Sequence, residues 1–301
     1  MKTLISKDLK KRIYFAGLRV TKNIIHKFNK PVKNPAILFI TGCQRSGTTL
    51  MYEIFQKDLR AAVYPEFSKL SDPNDPEKLR LLPLDQVKSI FDKSNTELII
   101  SKPLVESQNL DKLLNYFSGA KALWMYRDYK SVAKSNIKHF GKDNGVKDLA
   151  PIAERINNNW RSERISGNVH KIIKKYFAKN MNPYDAAALF WFARNSLFFE
   201  LGLDKREDVM LFSYEELVNQ PGPMIKHVYQ FVGKNYPGDR LTNDIHSEAV
   251  SRGKSIDLNN EIDEICGILY SKLLQVKVKQ DENIRYILMN KTLQSSHYSP
   301  D

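Results

Sequence analysis

The chain has 301 residues, 42% hydrophobic and 27% charged, enough to bury a sizeable core as one large domain or two small ones. Its net charge of +13 points to an anionic partner, but residues 1–30 carry nine Lys/Arg against one acid, leaving only +5 for the remainder. Two cysteines, Cys43 and Cys266, are too few for a disulfide framework and fit a reducing cytoplasm; MKTLISKDLKKRIYF lacks the apolar core of a secretory signal, and no apolar run reaches the roughly 18 residues that span a bilayer.

The leader, residues 1–35, places Ile5, Leu9, Ile13, Ala16, Val20, Ile24 and Phe28 at spacings of three or four with basic residues between them. That is the pattern of a basic amphipathic helix, and two uses fit it: packing on the domain, or peripheral contact with a membrane or another anionic surface. Pro31 to Pro35 ends the helix. AILFI (36–40) then reads as a buried parallel strand, followed by a glycine-rich turn and a helix, TTLMYEIFQKDL, with Leu50, Ile54 and Leu59 on one side. Further apolar runs at AAVY (61–64), ELII (97–100), ALWMY (122–126) and VMLF (209–212) alternate with helical segments. The alternation predicts an α/β fold of P-loop type: three layers around a central parallel sheet, with the ligand at the strands' C-terminal ends.

The sulfur-rich or metal-rich classes find no support, since six scattered histidines and two distant cysteines make no metal site. Residues 36–260 form the main domain, and within it 140–205 reads as an all-helical insertion on the acceptor side, carrying INNNWRSERIS and YDAAALFWFARNSLFFELGL. Trp191, Phe192, Phe198 and Phe199 read as helix core, whereas Arg194 and Asn195 are candidates to face an acceptor. Residues 261–301 add C-terminal helices and a loose tail.

The turn TGCQRSGTTLM has Gly42 and Gly47 at the spacing of a phosphate-cradling loop, but Thr48 stands where a nucleotide triphosphatase has lysine. Gly42 and Gly47 allow close approach of backbone amides; Ser46, Thr48 and Thr49 add hydroxyl donors, and Arg45 is the loop's only cation. A single arginine suits a bridging phosphate bonded to a sulfuryl group, which carries one negative charge and needs no magnesium, better than it suits a triphosphate. In WMYRDYKSVAKSN, Arg127 follows a predicted strand and Ser135 lies eight residues later, about two helical turns on, so both can point to one end of a nucleotide.

With these two motifs the chain resembles the sulfotransferase family, whose members use 3′-phosphoadenosine 5′-phosphosulfate and grip its 3′-phosphate with an Arg after a strand and a Ser eight residues on. The loop arginine is similar to the branch holding tyrosylprotein sulfotransferases and many bacterial enzymes. That resemblance implies a general base at Glu66 in VYPEF, where a solvated glutamate after a turn is the competing reading. It also implies a role for Lys102 in IISKP, whose ammonium would stabilise charge on the sulfuryl oxygens. FSYEELVNQPG resembles the family's Tyr-Glu-x-Leu stretch, with Tyr214 contacting adenine or phosphate and Glu215 bracing the following helix. Arg252 or Lys254 would close the nucleotide site, although Ser251-Arg252-Gly253-Lys254 departs from the family's Arg-Lys-Gly order. Tyr129 replaces the family's Pro after Arg-Asp, which puts the local turn in question.

The resemblance covers residues 36–260 and implies sulfuryl transfer by in-line displacement to a hydroxyl of a glycan, lipid head group, small metabolite or peptide, with no metal and no nucleic acid. A phosphotransferase with an altered loop and a non-catalytic nucleotide-binding or membrane-surface module are the rival readings. His139 is a lesser candidate for the base, with no partner at suitable spacing.

Overall fold

All five apolar runs contain strands, and helices connect them. The computed structural model describes residues 7–30, 32–245 and 256–296, with side chains described between 9 and 282. The strands β1 (Ala36–Gly42), β2 (Ala61–Tyr64), β3 (Leu98–Ser101), β4 (Lys121–Tyr126) and β5 (Val209–Ser213) form one sheet in the order β2-β3-β1-β4-β5. Every neighbouring pair is parallel. Chain direction across the sheet reverses at β1, which makes its C-terminal end the natural crevice for a ligand.

Alternating strand residues divide the core in two, as the period of two requires. Leu38, Ile40, Leu123, Met125 and Phe212 face one layer, made by α2 (Thr48–Gln56), α9 (Tyr214–Asn219) and α10 (Pro221–Phe231). Phe39, Ile99, Trp124 and Leu211 face the other, which includes α3 (Leu84–Asp92), α4 (Leu110–Tyr116), α5 (Tyr129–Phe140), α8 (Pro183–Glu200) and α11 (Asn260–Ser296). The first turn of α8 is set by Pro183 and by Asn182, whose side chain accepts from Tyr184 N at 2.8 Å. Nearly every side chain of α8 from Ala186 to Phe198 is buried, because α5, α6 (Asn144–Ala153), α7 (Gly167–Tyr176) and α11 surround it.

Two local expectations change. The helix after the glycine turn ends at Gln56, so Leu59 lies beyond it, and its inner face is Met51, Ile54 and Phe55. The chain turns there because Asp58 is held by Tyr229 Oη at 2.6 Å and by Arg60. The leader helix α1 (Lys7–Phe28) does pack on α2, but through Phe15, Leu18, Lys22, Ile25 and His26 and not through the stripe picked out in the sequence. Lys22 Nζ donates to Phe55 O at 3.0 Å, His26 Nε2 lies 2.8 Å from Leu59 O, and Lys11 pairs with Glu53 at 2.7 Å. Lys22 and His26 thus reach carbonyls at and just past the end of α2, and Lys11 meets an α2 carboxylate, which is why this side of α1 turns inward. Ile13, Val20, Ile24 and Phe28 stay exposed, and Ile5 lies outside the described residues.

Candidate active site

The turn after β1 is built by backbone that only certain residues adopt. Gly42 has φ +121°, Arg45 φ +65° and Gly47 φ +91°. A Cβ on Gly42 would stand 2.2 Å from Met125 O, so glycine is what lets the turn leave the sheet beside β4. Gly47 is the N-cap of α2 and makes no side-chain cap, leaving the helix's first amides directed at the turn. Ser46 and Thr48 are buried under the turn, whereas Thr49 is exposed.

Three of the residues singled out in the sequence, Tyr214, Arg127 and Ser135, converge on this turn. A Cβ on Gly47 would lie 2.4 Å from Tyr214 Cδ2, so the Tyr214 ring rests directly on the glycine. Arg127 Cζ sits 4.2 Å from the centroid of that ring, a cation–π stack. Arg45 Nε donates to Ser135 Oγ at 3.0 Å, and its guanidinium lies 5.8 Å from the Phe140 ring centroid. Burial, then the nearby Arg127 charge, depress the pKa of Arg45. The two guanidiniums concentrate positive charge beside the turn, which suits an anion. Ser46 Oγ and Arg127 Nε are buried without a partner among the described residues, two polar atoms that a phosphorylated ligand would satisfy.

The Arg127 turn is intact without proline. Asp128 Oδ1 caps α5 by accepting from Ser131 N at 2.7 Å, and Tyr129 Oη donates to Asp263 Oδ1 at 2.6 Å. Glu215 accepts from Asp128 N at 3.1 Å, so it braces this turn, while Ser213 caps the helix that Glu215 was expected to support.

A second group stands at the ends of β2 and β3. Their register pairs Tyr64 with Ser101, which places the next residues side by side. Lys102 N donates to Tyr64 O at 2.9 Å, and Lys102 Nζ pairs with Glu66 Oε2 at 2.6 Å. Lys102 is only 6% exposed. Phe67, directly after Glu66, has φ +56° and is 69% exposed. Because β3 neighbours β1, with Phe39 opposite Ser101, this ion pair stands at the same edge as the glycine turn. Arg45 is turned toward Ser135, and among the described residues no hydrogen bond or ion pair joins it to Glu66 or Lys102. Arg252 and Lys254 lie outside the described residues.

A family model for the sulfotransferase domain matches residues 35–272. The chain belongs to the sulfotransferase family. It is an enzyme of sulfuryl transfer, and its five-stranded parallel sheet is the family's P-loop-type α/β fold. The sulfotransferase is similar in structure to the sulfotransferase domain of the olefin synthase of Synechococcus PCC 7002, with TM-score 0.52 and 17% identity, covering 82% of this chain and 97% of that one. It is similar also to a sulfotransferase from Alicyclobacillus acidocaldarius, with TM-score 0.46, 17% identity, and 82% and 95% of the two chains covered. Against a mouse sulfotransferase, SULT7A1, solved with PAP, the TM-score is 0.37 and the identity 13%, over 85% of this chain and 89% of that one. At such identities the likeness concerns the fold. No curated protein matches the chain.

The sulfotransferase also holds a polar network that sequence reading misses. Gln44, in the glycine turn, donates to Asp148 Oδ2 at 2.8 Å; Asp148 Oδ1 takes Arg161 Nε at 2.7 Å, and Arg161 continues to Glu77 at 2.8 Å. Glu163 accepts from Arg80 at 2.6 Å and from Gln108 and Asn109, each at 3.0 Å. Burial alone would raise Glu163, but these donors outweigh it and hold its pKa at about 2. The 140–205 region is not all helix as expected: 154–166, with INNNWRSERIS, is irregular, Arg155, Asn158 and Arg164 taking positive φ, and this segment walls a cavity of about 690 Å³ together with Arg80 and His170.

Neither α8 candidate contacts this cavity. Arg194, 2% exposed, donates to Gln108 Oε1 at 2.9 Å, and burial pushes its pKa down to about 10 despite the attraction of Cys43 and the nearby acids. Asn195 accepts from Trp124 Nε1 at 3.2 Å and donates to Trp191 O at 2.9 Å, so it ties α8 to the sheet. Burial pushes the Cys43 thiol up to about 12, which makes it a packing residue. Burial and the adjacent Arg45 charge keep His139 below the usual histidine range. Among the described residues no three His, Cys, Asp or Glu gather as a metal site.

Proposed function

We propose that the chain transfers a sulfuryl group from 3′-phosphoadenosine 5′-phosphosulfate to an acceptor hydroxyl by in-line displacement. The observation that carries this reading is the Glu66–Lys102 ion pair, 2.6 Å long, standing beside the arginine-bearing glycine turn. The turn's amides with Ser46, Thr48 and Thr49 hold the bridging phosphate, and Arg127 with Ser135 takes the 3′-phosphate. Tyr214 keeps Arg127 in place by stacking. Arg45, bonded to Ser135 and close to Arg127, answers the nucleotide's charge from the turn's side.

Glu66 accepts the proton of the acceptor hydroxyl as that oxygen attacks sulfur. The bond between sulfur and the bridging oxygen breaks, and its electron pair leaves on the phosphate of adenosine 3′,5′-bisphosphate. Once Glu66 takes the proton its charge is gone, which weakens the ion pair and frees Lys102 Nζ to donate to the equatorial sulfuryl oxygens. No step needs a metal.

The acceptor is a hydroxylated glycan, lipid head group, small metabolite or peptide, read on the side of residues 140–205. The test is transfer of labelled sulfuryl from the donor to a mixture of these classes, scored by the mass gain of one sulfuryl group. Glu66→Gln is expected to lower turnover by about 100-fold or more while leaving nucleotide binding in place, and chelation of divalent metals is expected to change nothing. Wild-type turnover in Glu66→Gln, or loss of turnover on chelation with transfer of phosphate from ATP, would reverse the reading.

A further inference from the structure

The leader helix turns a mixed face of Phe15, Leu18, Lys22, Ile25 and His26 to the domain and leaves an apolar row on its other side. Lys22, His26, Lys11 and Asn29 all bond to the body, the last through Asn29 Nδ2 to Asn95 O at 3.0 Å. Three contacts along the helix and one just past its end fix its roll angle. At about 100° per residue, Ile13, Val20, Ile24 and Phe28 fall within roughly 80° of one another on the side opposite Lys22. They are 58%, 60%, 55% and 81% exposed. A row of four large apolar side chains that no element among the described residues covers is unusual for a helix already docked through its other face.

The residues flanking this row are basic: Lys10 on one side, Arg12 and Arg19 on the other, and Lys27 near its end, all exposed. Asp8 is the single acid among residues 1–30, whose net charge is +8. No helix among the described residues is long and apolar enough to cross a membrane. A convex row of aliphatic side chains between basic flanks fits a fluid anionic interface, where apolar groups sink and cations meet head groups. A second copy would bring an equally basic face and repel the first.

We infer that α1 docks this sulfotransferase on an anionic lipid surface, with Ile13, Val20, Ile24 and Phe28 in the interface and the helix lying in its plane. The inference does not depend on the assignment of the catalytic residues. The full chain, mixed with vesicles of phosphatidylcholine alone or of phosphatidylcholine with phosphatidylserine, is sedimented at low and high salt. Pelleting is expected with the anionic vesicles only and is expected to fall as salt screens the flanks. Val20→Asp/Ile24→Asp should weaken it by about tenfold or more, and Lys10→Glu/Arg12→Glu by a comparable factor. Both variants should keep the wild-type melting temperature, because the altered side chains are exposed. The inference is overturned if wild type pellets equally with both vesicle types or with neither. It is overturned also if sedimentation equilibrium shows a dimer that Val20→Asp/Ile24→Asp dissociates, with no vesicle binding, since a second copy would then be the occupant.

Discussion

Replacing Gly47 by alanine strikes the point where turn, ring and guanidinium meet. At φ +91° and ψ 8° a residue with a side chain is strained, at a cost of about 1–3 kcal/mol. Its Cβ would lie 2.4 Å from Tyr214 Cδ2, against a carbon–carbon optimum of about 3.5–4.0 Å, so the ring must retreat by about 1 Å or more. Retreat takes it off Arg127, now 4.2 Å from the ring centroid, a contact worth about 0.5–2 kcal/mol. The strain falls on stability, a drop of roughly 2–12 °C in melting temperature. The lost stack falls on the nucleotide, a rise of about 2- to 30-fold in its dissociation constant. Thermal melting and calorimetric titration with adenosine 3′,5′-bisphosphate measure both. In a Tyr214→Ala background the clash is absent, so Gly47→Ala should still lower the melting temperature but leave affinity where Tyr214→Ala put it. The reasoning fails if Gly47→Ala binds and melts like wild type, or if it loses as much affinity in the Tyr214→Ala background as alone.

Glu163 has a folded pKa near 2 against an ordinary 4.5, so its bonds stabilise the fold fully above pH 4.5 and fade as pH falls toward 2; the melting difference between wild type and Glu163→Gln should shrink over that window, measured by calorimetric scans. Burial lowers Lys22 to about 7 from 10.5, Asp58 opposing; keeping it charged therefore costs most below pH 7 and nothing above 10.5, and the benefit of Lys22→Met should decline across that range in denaturant melts. Asp148→Asn removes the charge that holds Arg161 and weakens the hold on Gln44; urea unfolding should show a loss of about 3–5 kcal/mol, the range for breaking a buried ion pair.

The strands were legible because each is a short apolar run bounded by turns, and the glycine turn because Gly42 and Gly47 sit between the first run and a helix. The spacing of Arg127 and Ser135 was visible in the sequence, but that Arg127 precedes α5 and Ser135 accepts from Arg45 was not. The stack of Tyr214 on Gly47 was not, since residues 167 positions apart meet only through the order of β1, β4 and β5. The Gln44–Asp148–Arg161–Glu77 chain was hidden for the same reason: its members lie on four segments with no shared period. Arg194 did leave a signal, a single cation in a helix apolar all round, which points to burial before it points to an acceptor. In α1 the helix was legible from its apolar period, but the sequence left open which side meets the domain. A stripe of Ile and Val does not say which side of a helix meets the domain; here Lys22 and His26 bond to the body, and Ile13, Val20, Ile24 and Phe28 stay exposed.

Binding of the product nucleotide tests the site most directly. Adenosine 3′,5′-bisphosphate titrated into the wild-type chain should give saturable binding to one site, far tighter than adenosine 5′-monophosphate, and Arg127→Met should weaken it by about tenfold or more, the worth of one charge-assisted bond. No heat of binding in wild type, equal affinity for the two nucleotides, or an Arg127→Met variant that binds as well as wild type would contradict the account.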